Sequence, residues 1–488
     1  MKKWVLGLGA AALALGSVVA ARTAMFTPDA VADGSKIKVA AATPFDVNRA
    51  AEHLGAAVRF KTISNQNPAD NQLAEWDKLQ AWLASTYPKA HAAMSQDKVG
   101  QTLVYSWPGS DPGAQPIIMM AHQDVVPVTA GTEKDWKHDP FAGTIADGAV
   151  WGRGTVDDKG SLVALFEAME ALAAQGFKPK RTIYLVSGHD EEVGGTGAEA
   201  AAKWLAERKV KALFTLDEGG LISTNTPVIN APAMMIGVAE KGFVTLKVTA
   251  NAPGGHSSMP PKEIGTVNLA RALIAIHENQ FPMELRGPTA GMIEVLAAKA
   301  GGMTKVAVAN QWLLGGLVKR QVGSTPTGAA ALHTTIAPTM LEGSPKENVL
   351  PQSANALVNY RIAPWDTSAT VLEKARAVTK GLGVEVNFTE RKPREPSPVS
   401  SSTSLGWQMI VASAQAGYPG VVASPYLVVG GTDSRSMVGV SDDVYRFMAI
   451  AFSTDDVKML HGTNEHMTVK NLEGLITFYT RLLATAAG

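Results

Sequence analysis

Cysteine is absent from the sequence. No disulfide can form, no thiolate can act as nucleophile or metal ligand, and iron–sulfur sites and cysteine-linked lipid anchors are excluded. The absence does not choose a redox compartment. A charge surplus is also missing: 44 basic residues balance 44 acidic ones. Nucleic-acid binders carry a basic excess, so that class is set aside, and the balance gives no reason for an anionic membrane partner. No internal repeat is present, and no low-complexity tract outside the N-terminus.

Apolar residues, by contrast, make up 46% of the chain, which suits a well-buried globular protein. At 488 residues it is too long for one ordinary core, and two or three domains are expected. Lys2 and Lys3 precede the apolar run 4-WVLGLGAAALALGSVVAA-21, with Val18-Val19-Ala20 as a cleavage signature. Residues 1–21 therefore read as a secretory signal, or as an uncleaved anchor, because the run nears the ~17 residues that span a bilayer. The protein is expected to be periplasmic or secreted, or held at a membrane by this segment alone. The piece 7-GLGAAA-12 imitates a dinucleotide fingerprint but lacks the strand–turn–helix around it. Residues 22–43 read as a linker.

From there strands alternate with helices: 101–107 and 116–122 as strands, 160–176 as a helix, 181–187 as a buried strand, 196–209 as a helix and 211–217 as a strand. That order implies an α/β fold with a mostly parallel central sheet. The character changes near 240. Strand 242–251 alternates like a half-exposed strand, helix 264–279 follows, and strands 330–341 and 354–364 come later, so an α+β module is inserted. The expected division is a main domain in two parts, 44–239 and 365–488, around a lid at 240–364. The stretch 283–325 reads as a helical insertion in that lid.

Three strand ends carry the chemistry. His122 and Asp124 follow 116-PIIMMA-121; Glu191 and Glu192 sit in 188-GHDEEVGG-195 after 182-TIYLVS-187; Asp217 and Glu218 follow 212-ALFTL-216. Asp157-Asp158 occupies a glycine-rich turn before the long helix. Open parallel sheets bind ligands beyond the carboxyl ends of their strands, so these groups should share one rim. Carboxylates so crowded call for a cation or for raised pKa values. Histidine with carboxylates and no thiolate suits Zn²⁺ or another divalent metal such as Co²⁺ or Mn²⁺. His122 can ligate, Asp124 can orient its ring, and Asp157 can bridge two metals. Glu191 and Glu192 are adjacent and point different ways, so one can ligate while the other holds a proton.

The ordered set 122-HQD-124, 151-WGRGTVDDKG-160, 188-GHDEEVGG-195, 216-LDEGG-220, 253-PGGHSS-258 and 461-HGTNE-465 resembles the M20 family of metallopeptidases, in its carboxypeptidase S and N-fatty-acyl-amino-acid hydrolase branch. The resemblance runs from about residue 46 to the C-terminus. It implies a zinc-exopeptidase-like main domain and a ferredoxin-like lid. It implies two zinc ions on His122, Asp157 as the bridge, Glu192, an acid of the 217–218 pair with Asp217 favoured, and His461. Glu191 would be the general base, and the Asp157–Asp158 peptide would be cis. His256 would stabilise the oxyanion, in dimeric relatives from the neighbouring subunit, which implies a homodimer through the lid. Asn348 and Arg361 fall where relatives contact substrate, and an arginine can clamp a carboxylate with two hydrogen bonds. The turn 430-GGTDSR-435, with Gly431 and Thr432, matches a loop lining the pocket. The expected activity is hydrolysis of amide bonds in substrates with a free carboxylate, small peptides or N-acyl amino acids. The alternative is a catalytically silent protein that binds such peptides or conjugates.

Overall fold

The structure, a computed structural model, describes residues 2–28, 31–226 and 228–488. Its centre is a 10-stranded sheet. The order is Ser95–Val99, Thr102–Trp107, Ile183–Ser187, Ile117–Met120, Ala212–Asp217, Ser441–Arg446, Ala231–Glu240, Leu221–Thr226 and Ala451–Phe452, with Val422–Val428 joined to Ala231–Glu240. The strands Ile183–Ser187, Ile117–Met120, Ala212–Asp217 and Ser441–Arg446 pair in parallel, whereas Ser95–Val99 and Thr102–Trp107 add an antiparallel flank. The sheet is therefore α/β and mixed, parallel where the site lies.

Both faces of this sheet are covered, as a parallel centre requires. Successive residues of a strand point to opposite faces. Ile117 and Met119 accordingly enter one core with the helices Val47–Val58, Lys159–Ala174, Leu405–Gln415 and Val469–Ala487. Ile118 and Met120 enter the other, against Ala198, Ala201 and Leu205 of the helix Thr196–Glu207. The long helix Lys159–Ala174 is apolar almost all round because it sits between the sheet and other helices.

The lid is a second sheet in the order Thr335–Glu342, Ser353–Ile362, Gly242–Asn251, Glu385–Phe388, all antiparallel. Val244, Leu246, Val248 and Ala250 alternate into its core and meet Leu269, Ala272 and Ile276 of the helix Gly265–Glu278. The helix Ser368–Val378 packs beside them through Val371 and Ala375. This strand–helix–strand–strand–helix–strand order is the ferredoxin-like arrangement. It corrects the expected boundary at 364, because the chain leaves the lid only after Glu385–Phe388. At the hinge the two connections run side by side: Phe243 and Arg394 exchange backbone hydrogen bonds of 2.7 and 2.8 Å, and the Ser397 amide donates to the Glu240 carbonyl at 3.1 Å.

Two further expectations change. The linker 22–43 is no free tether. Trp407 Nε1 donates to the Ala32 carbonyl at 2.8 Å, the Ala40 amide donates to Thr485 Oγ1 at 3.0 Å, and a Cβ on Gly34 would stand 2.8 Å from the Gln408 carbonyl oxygen. Residues 29 and 30 of that stretch lie outside the described residues. The insertion forms the helices Gly287–Ala300, Gly302–Ala309, Gln311–Val322 and Pro326–Ala330. It packs on the main domain's strand Val422–Val428 and on the N-terminal helix Lys2–Ala24, where Asn310 Nδ2 donates to Thr23 Oγ1 at 3.0 Å. Of the segment 1–21 expected to direct export or anchoring, residue 1 and the side chains of 2–9 lie outside the described residues. No helix among the described residues is long and apolar enough to cross a membrane.

Candidate metal centre and active-site cleft

His122 lies just past the strand Ile117–Met120 and is buried. Its Nε2 is 2.9 Å from Asp157 Oδ1, and its Nδ1 is 3.0 Å from the Asp124 carbonyl oxygen and 3.3 Å from Asp124 Oδ1. Asp157 presents its other oxygen, Oδ2, to His461 Nε2 at 3.0 Å. One carboxylate thus spans two imidazoles. His461 Nε2 also lies 3.0 Å from Glu192 Oε2, and ligand atoms of His122, Asp157 and Glu192 fall within 4.8 Å of one another. The Asp157–Asp158 peptide is cis.

Asp124 is wholly buried and does more than hold the ring. Its oxygens accept from Ser64 Oγ at 2.6 Å and from the amides of Glu191 and Glu192 at 3.1 and 3.2 Å. The turn carrying both glutamates is therefore fixed to the same aspartate as His122. Beneath Asp157, the buried carboxylate of Glu465 accepts from the amides of Gly154, Val156 and Asp157 and from Arg153 Nη1 at 2.6 Å. The motif 461-HGTNE-465 so supplies His461 and the support for its partner.

Electrostatics follow from crowding. Burial would raise the Asp157 carboxyl, but hydrogen bonds from His122 and His461 outweigh it and hold it low. Burial pushes Glu191 well above the usual carboxylate range, and Asp433, Glu192 and Asp157 push the same way against His122. Burial also raises Glu218 strongly, with Asp157 and Asp158 adding repulsion. Asp217 is raised by burial while the Ser434 amide donates to its Oδ2 at 2.8 Å. Asp217 is thereby tied to the loop 430–435. Hydrogen bonds donated to Asp157 and Glu192 lift His461 to about 10, against burial.

Composition missed Asp433, buried between the two arms of 188-GHDEEVGG-195. A Cβ on Gly188 would lie 2.0 Å from Asp433 Oδ2, and one on Gly195 2.3 Å from Oδ1, so glycine is required on both sides. Glu240 was missed as well. It is buried at the end of Ala231–Glu240 and accepts from the Thr432 amide and hydroxyl at 3.1 and 2.7 Å, from Arg435 at 2.6 Å and from Arg446 at 2.7 Å. Burial would raise its carboxyl, but Arg446 and Arg435 hold it below the usual range. Glu240 thereby pins 430-GGTDSR-435 to the hinge. Neither role is visible without the neighbours the fold brings.

A cleft of about 320 Å³ opens beside the centre, lined by Glu191, Glu192, His461, Gly431, Thr432 and Arg361 among others. His256 and Asn348 are not in it. Both are exposed on another face of the lid, where the Ser257 amide donates to the Asn348 carbonyl at 3.1 Å and Ser258 Oγ meets His256 Nδ1 at 2.8 Å. Within one chain the expected pair stays apart from the rest of the site. His466, the other histidine near His461, stacks on Trp151 with centroids 4.2 Å apart.

The donor set fits a divalent metal. Carboxylates outnumber the two imidazoles, thiolates are absent, and Glu192 Oε1, Asp158 Oδ1 and both oxygens of Asp433 are buried with no hydrogen-bond partner among the described residues. Such a cluster past the ends of parallel strands, facing an inserted lid, defines a hydrolase of the zinc-exopeptidase-like fold. Comparison with known proteins then places the chain. The sequence pattern of peptidase family M20/M25/M40 matches residues 118–485, and the chain belongs to that family. It is 34% identical to a probable carboxypeptidase S-like 2 of Dictyostelium discoideum, over 89% of this chain and 84% of that one. It is also 34% identical to the human N-fatty-acyl-amino acid synthase/hydrolase PM20D1, over 89% and 87%. Its fold matches the crystal structure of an M20 family metallo-carboxypeptidase, Sso-CP2 from Sulfolobus solfataricus, with TM-score 0.67 and 17% identity over 91% of this chain and 99% of that one. The protein is an enzyme that hydrolyses amide bonds, and its family implies a divalent metal.

Proposed function

We propose that the enzyme cleaves amide bonds in small substrates with a free carboxylate, as an exopeptidase or an N-acyl-amino-acid hydrolase, with Glu191 as the general base. The observation that carries this reading is Asp157 reaching both His122 and His461 beside Glu191, in one cleft with Arg361. His122, Asp157, Glu192, Asp217 and His461 would hold two metal ions, zinc by the chemistry of the donor set. When bound, such ions polarise the amide carbonyl and acidify water. Glu191, at the edge of the cleft beside Glu192 and His461, accepts the proton of the attacking water and passes it to the leaving amine. Arg361 clamps the free carboxylate, and Gly431 and Thr432 form the wall beside it. Asp124 keeps the His122 ring and the Glu191–Glu192 turn in register.

His256 and Asn348 would serve the site of a second copy, in a homodimer through the lid. What supports this is the lid's edge strand Thr335–Glu342, where Met340 and Leu341 are exposed beside unpaired backbone. Residues 1–21 would direct export, on their Lys2-Lys3 start and apolar run. No observation favours the binding-only alternative.

The deciding experiment is Glu191→Gln. Metal content and thermal midpoint are expected to match the wild type while turnover on a panel of dipeptides and N-acyl amino acids falls by roughly 10²–10⁴-fold. A variant with near-normal turnover would remove Glu191 from the role.

A further inference from the structure

The cleft has a second wall, and it is basic. Besides Arg361 and Arg435 it is lined by Arg391 and Arg394, on the segment returning from the lid to the main domain. Arg435 is taken up by Glu240 at 2.6 Å. Arg394 donates to the Gly194 carbonyl oxygen and, among the described residues, makes its ion pair with Glu199 at 3.5 Å. Arg361 and Arg391 have no carboxylate partner among the described residues and are exposed to the cleft. Both lie over the Phe243 ring, with Cζ 4.9 and 4.8 Å from its centroid. The two guanidiniums thus share one aromatic ring.

Their placement is specific. A Cβ on Gly194 would stand 3.5 Å from Arg394 Nη2 and 3.7 Å from Arg391 Nη2, so both heads reach the turn that carries Glu191 and Glu192. Like charges so close repel: burial lowers the Arg361 guanidinium pKa, and Arg435 and Arg391 lower it further. Burial lowers that of Arg391, with Arg394 and Arg435 adding to it. One carboxylate satisfies one guanidinium fork. A substrate with a single free carboxylate, held by Arg361, leaves Arg391 without a carboxylate, next to an Arg394 that meets Glu199 at 3.5 Å and the Gly194 carbonyl. Because Arg361 and Arg391 share the Phe243 ring and Arg391 and Arg394 both approach Gly194, a second anion on the same amino acid would meet them.

We propose that Arg391 and Arg394 form a second anion subsite, and that the preferred substrates release a dicarboxylic amino acid. Arg361 takes the α-carboxylate and the Arg391–Arg394 pair takes the side-chain carboxylate. The inference rests on the amide-hydrolase reading above and adds to it the charge of the leaving amino acid.

The test uses pairs that differ in charge but not in shape: Ala-Glu against Ala-Gln, and N-lauroyl-glutamate against N-lauroyl-glutamine, on the zinc-loaded full chain. The glutamate member is expected to have a kcat/KM at least about tenfold higher, as charge-assisted bonds to arginine give. Arg391→Gln, and Arg391→Gln with Arg394→Gln, are expected to collapse that ratio, with the loss mainly in KM. Calorimetric titration with free L-glutamate and L-glutamine reads the subsite without turnover. Glutamate is expected to bind tighter, with an advantage that shrinks in salt and disappears in the double variant. Equal cleavage of both members of each pair, with equal binding of the free amino acids, overturns the subsite and leaves the hydrolase reading intact. No cleavage of any pair, with arginine-dependent binding of glutamate, overturns the hydrolase reading and keeps the subsite. Neither cleavage nor preference overturns both.

Discussion

Asp124 joins three pieces of chain: the segment after the strand Ile117–Met120, the turn of Glu191 and Glu192, and Ser64 from before the first strand. A neutral amide in its place keeps the shape but cannot accept from two amides, a hydroxyl and a ring at once. Asp124→Asn is expected to lower metal affinity about 10–100-fold, the usual cost of losing a carboxylate that orients a ligating imidazole. Competition with a chelator checks it, and unchanged affinity would show the ring to be held by its carbonyl contact alone. Lys241 allows a pH prediction. Its ammonium is buried, donates to the Ala330 and His333 carbonyls at 2.8 and 2.7 Å, and is pushed down to about 7 by burial, with Arg361 adding to the effect and Asp366 opposing it. Unfolded lysine keeps its proton to about 10.4. Between those values the unfolded chain binds more protons, so this residue's contribution to stability rises with pH. Thermal midpoints measured from pH 7 to 10 are expected to climb more steeply in the wild type than in Lys241→Met; parallel curves would contradict the shift. At this scale the ligand candidates were legible, because acids at strand ends and glycine turns carry a local signal. Glu240, Glu465, Asp433, Arg391 and Arg394 were not, because each acts through a partner far away in sequence.

Among the elements, the legible ones had the clearest periodicity. The strand Gly242–Asn251 alternates into its core residue by residue, and the helix Val469–Ala487 presents a continuous apolar face. The strand Ala231–Glu240 carries no such alternation, since it is covered on both sides. The lid's end was read too early because Glu385–Phe388 is four residues long with only Val386 buried. The insertion was read as helical, but not where it packs, because its partners, Val422–Val428 and the N-terminal helix, are far away in sequence on either side. The hinge is where elements meet charge. Glu240 holds Arg446 and Arg435 in a buried triad, and Glu240→Gln leaves two guanidiniums facing an uncharged amide. A loss of about 3–5 kcal/mol is expected, the scale for breaking a buried ion pair by removing one partner. Urea unfolding measures it, and KM should rise as well, because Thr432 and Arg435 line the cleft. A loss below 1 kcal/mol would mean that water reaches the triad.

For the molecule as a whole, Asp157, Asp158, Glu191, Glu192, Asp217, Glu218 and Asp433 gather at one rim of the sheet, with His122 and His461 between them. A ligand bound only by the folded state stabilises it by about 4 kcal/mol at a thousand times its Kd. The thermal midpoint should therefore rise on zinc addition and fall on chelation, and calorimetry showing no shift would argue against a tight site. The strand order has a consequence in time. Ser441–Arg446 lies in the middle of the sheet, between Ala212–Asp217 and Ala231–Glu240, with the whole lid threaded between them in sequence. At ribosomal speeds of ~5–20 residues per second, the earlier strands wait tens of seconds for their neighbour. The nascent chain spends that interval with an open seam between Ala212–Asp217 and Ala231–Glu240, which closes only once Ser441–Arg446 has emerged.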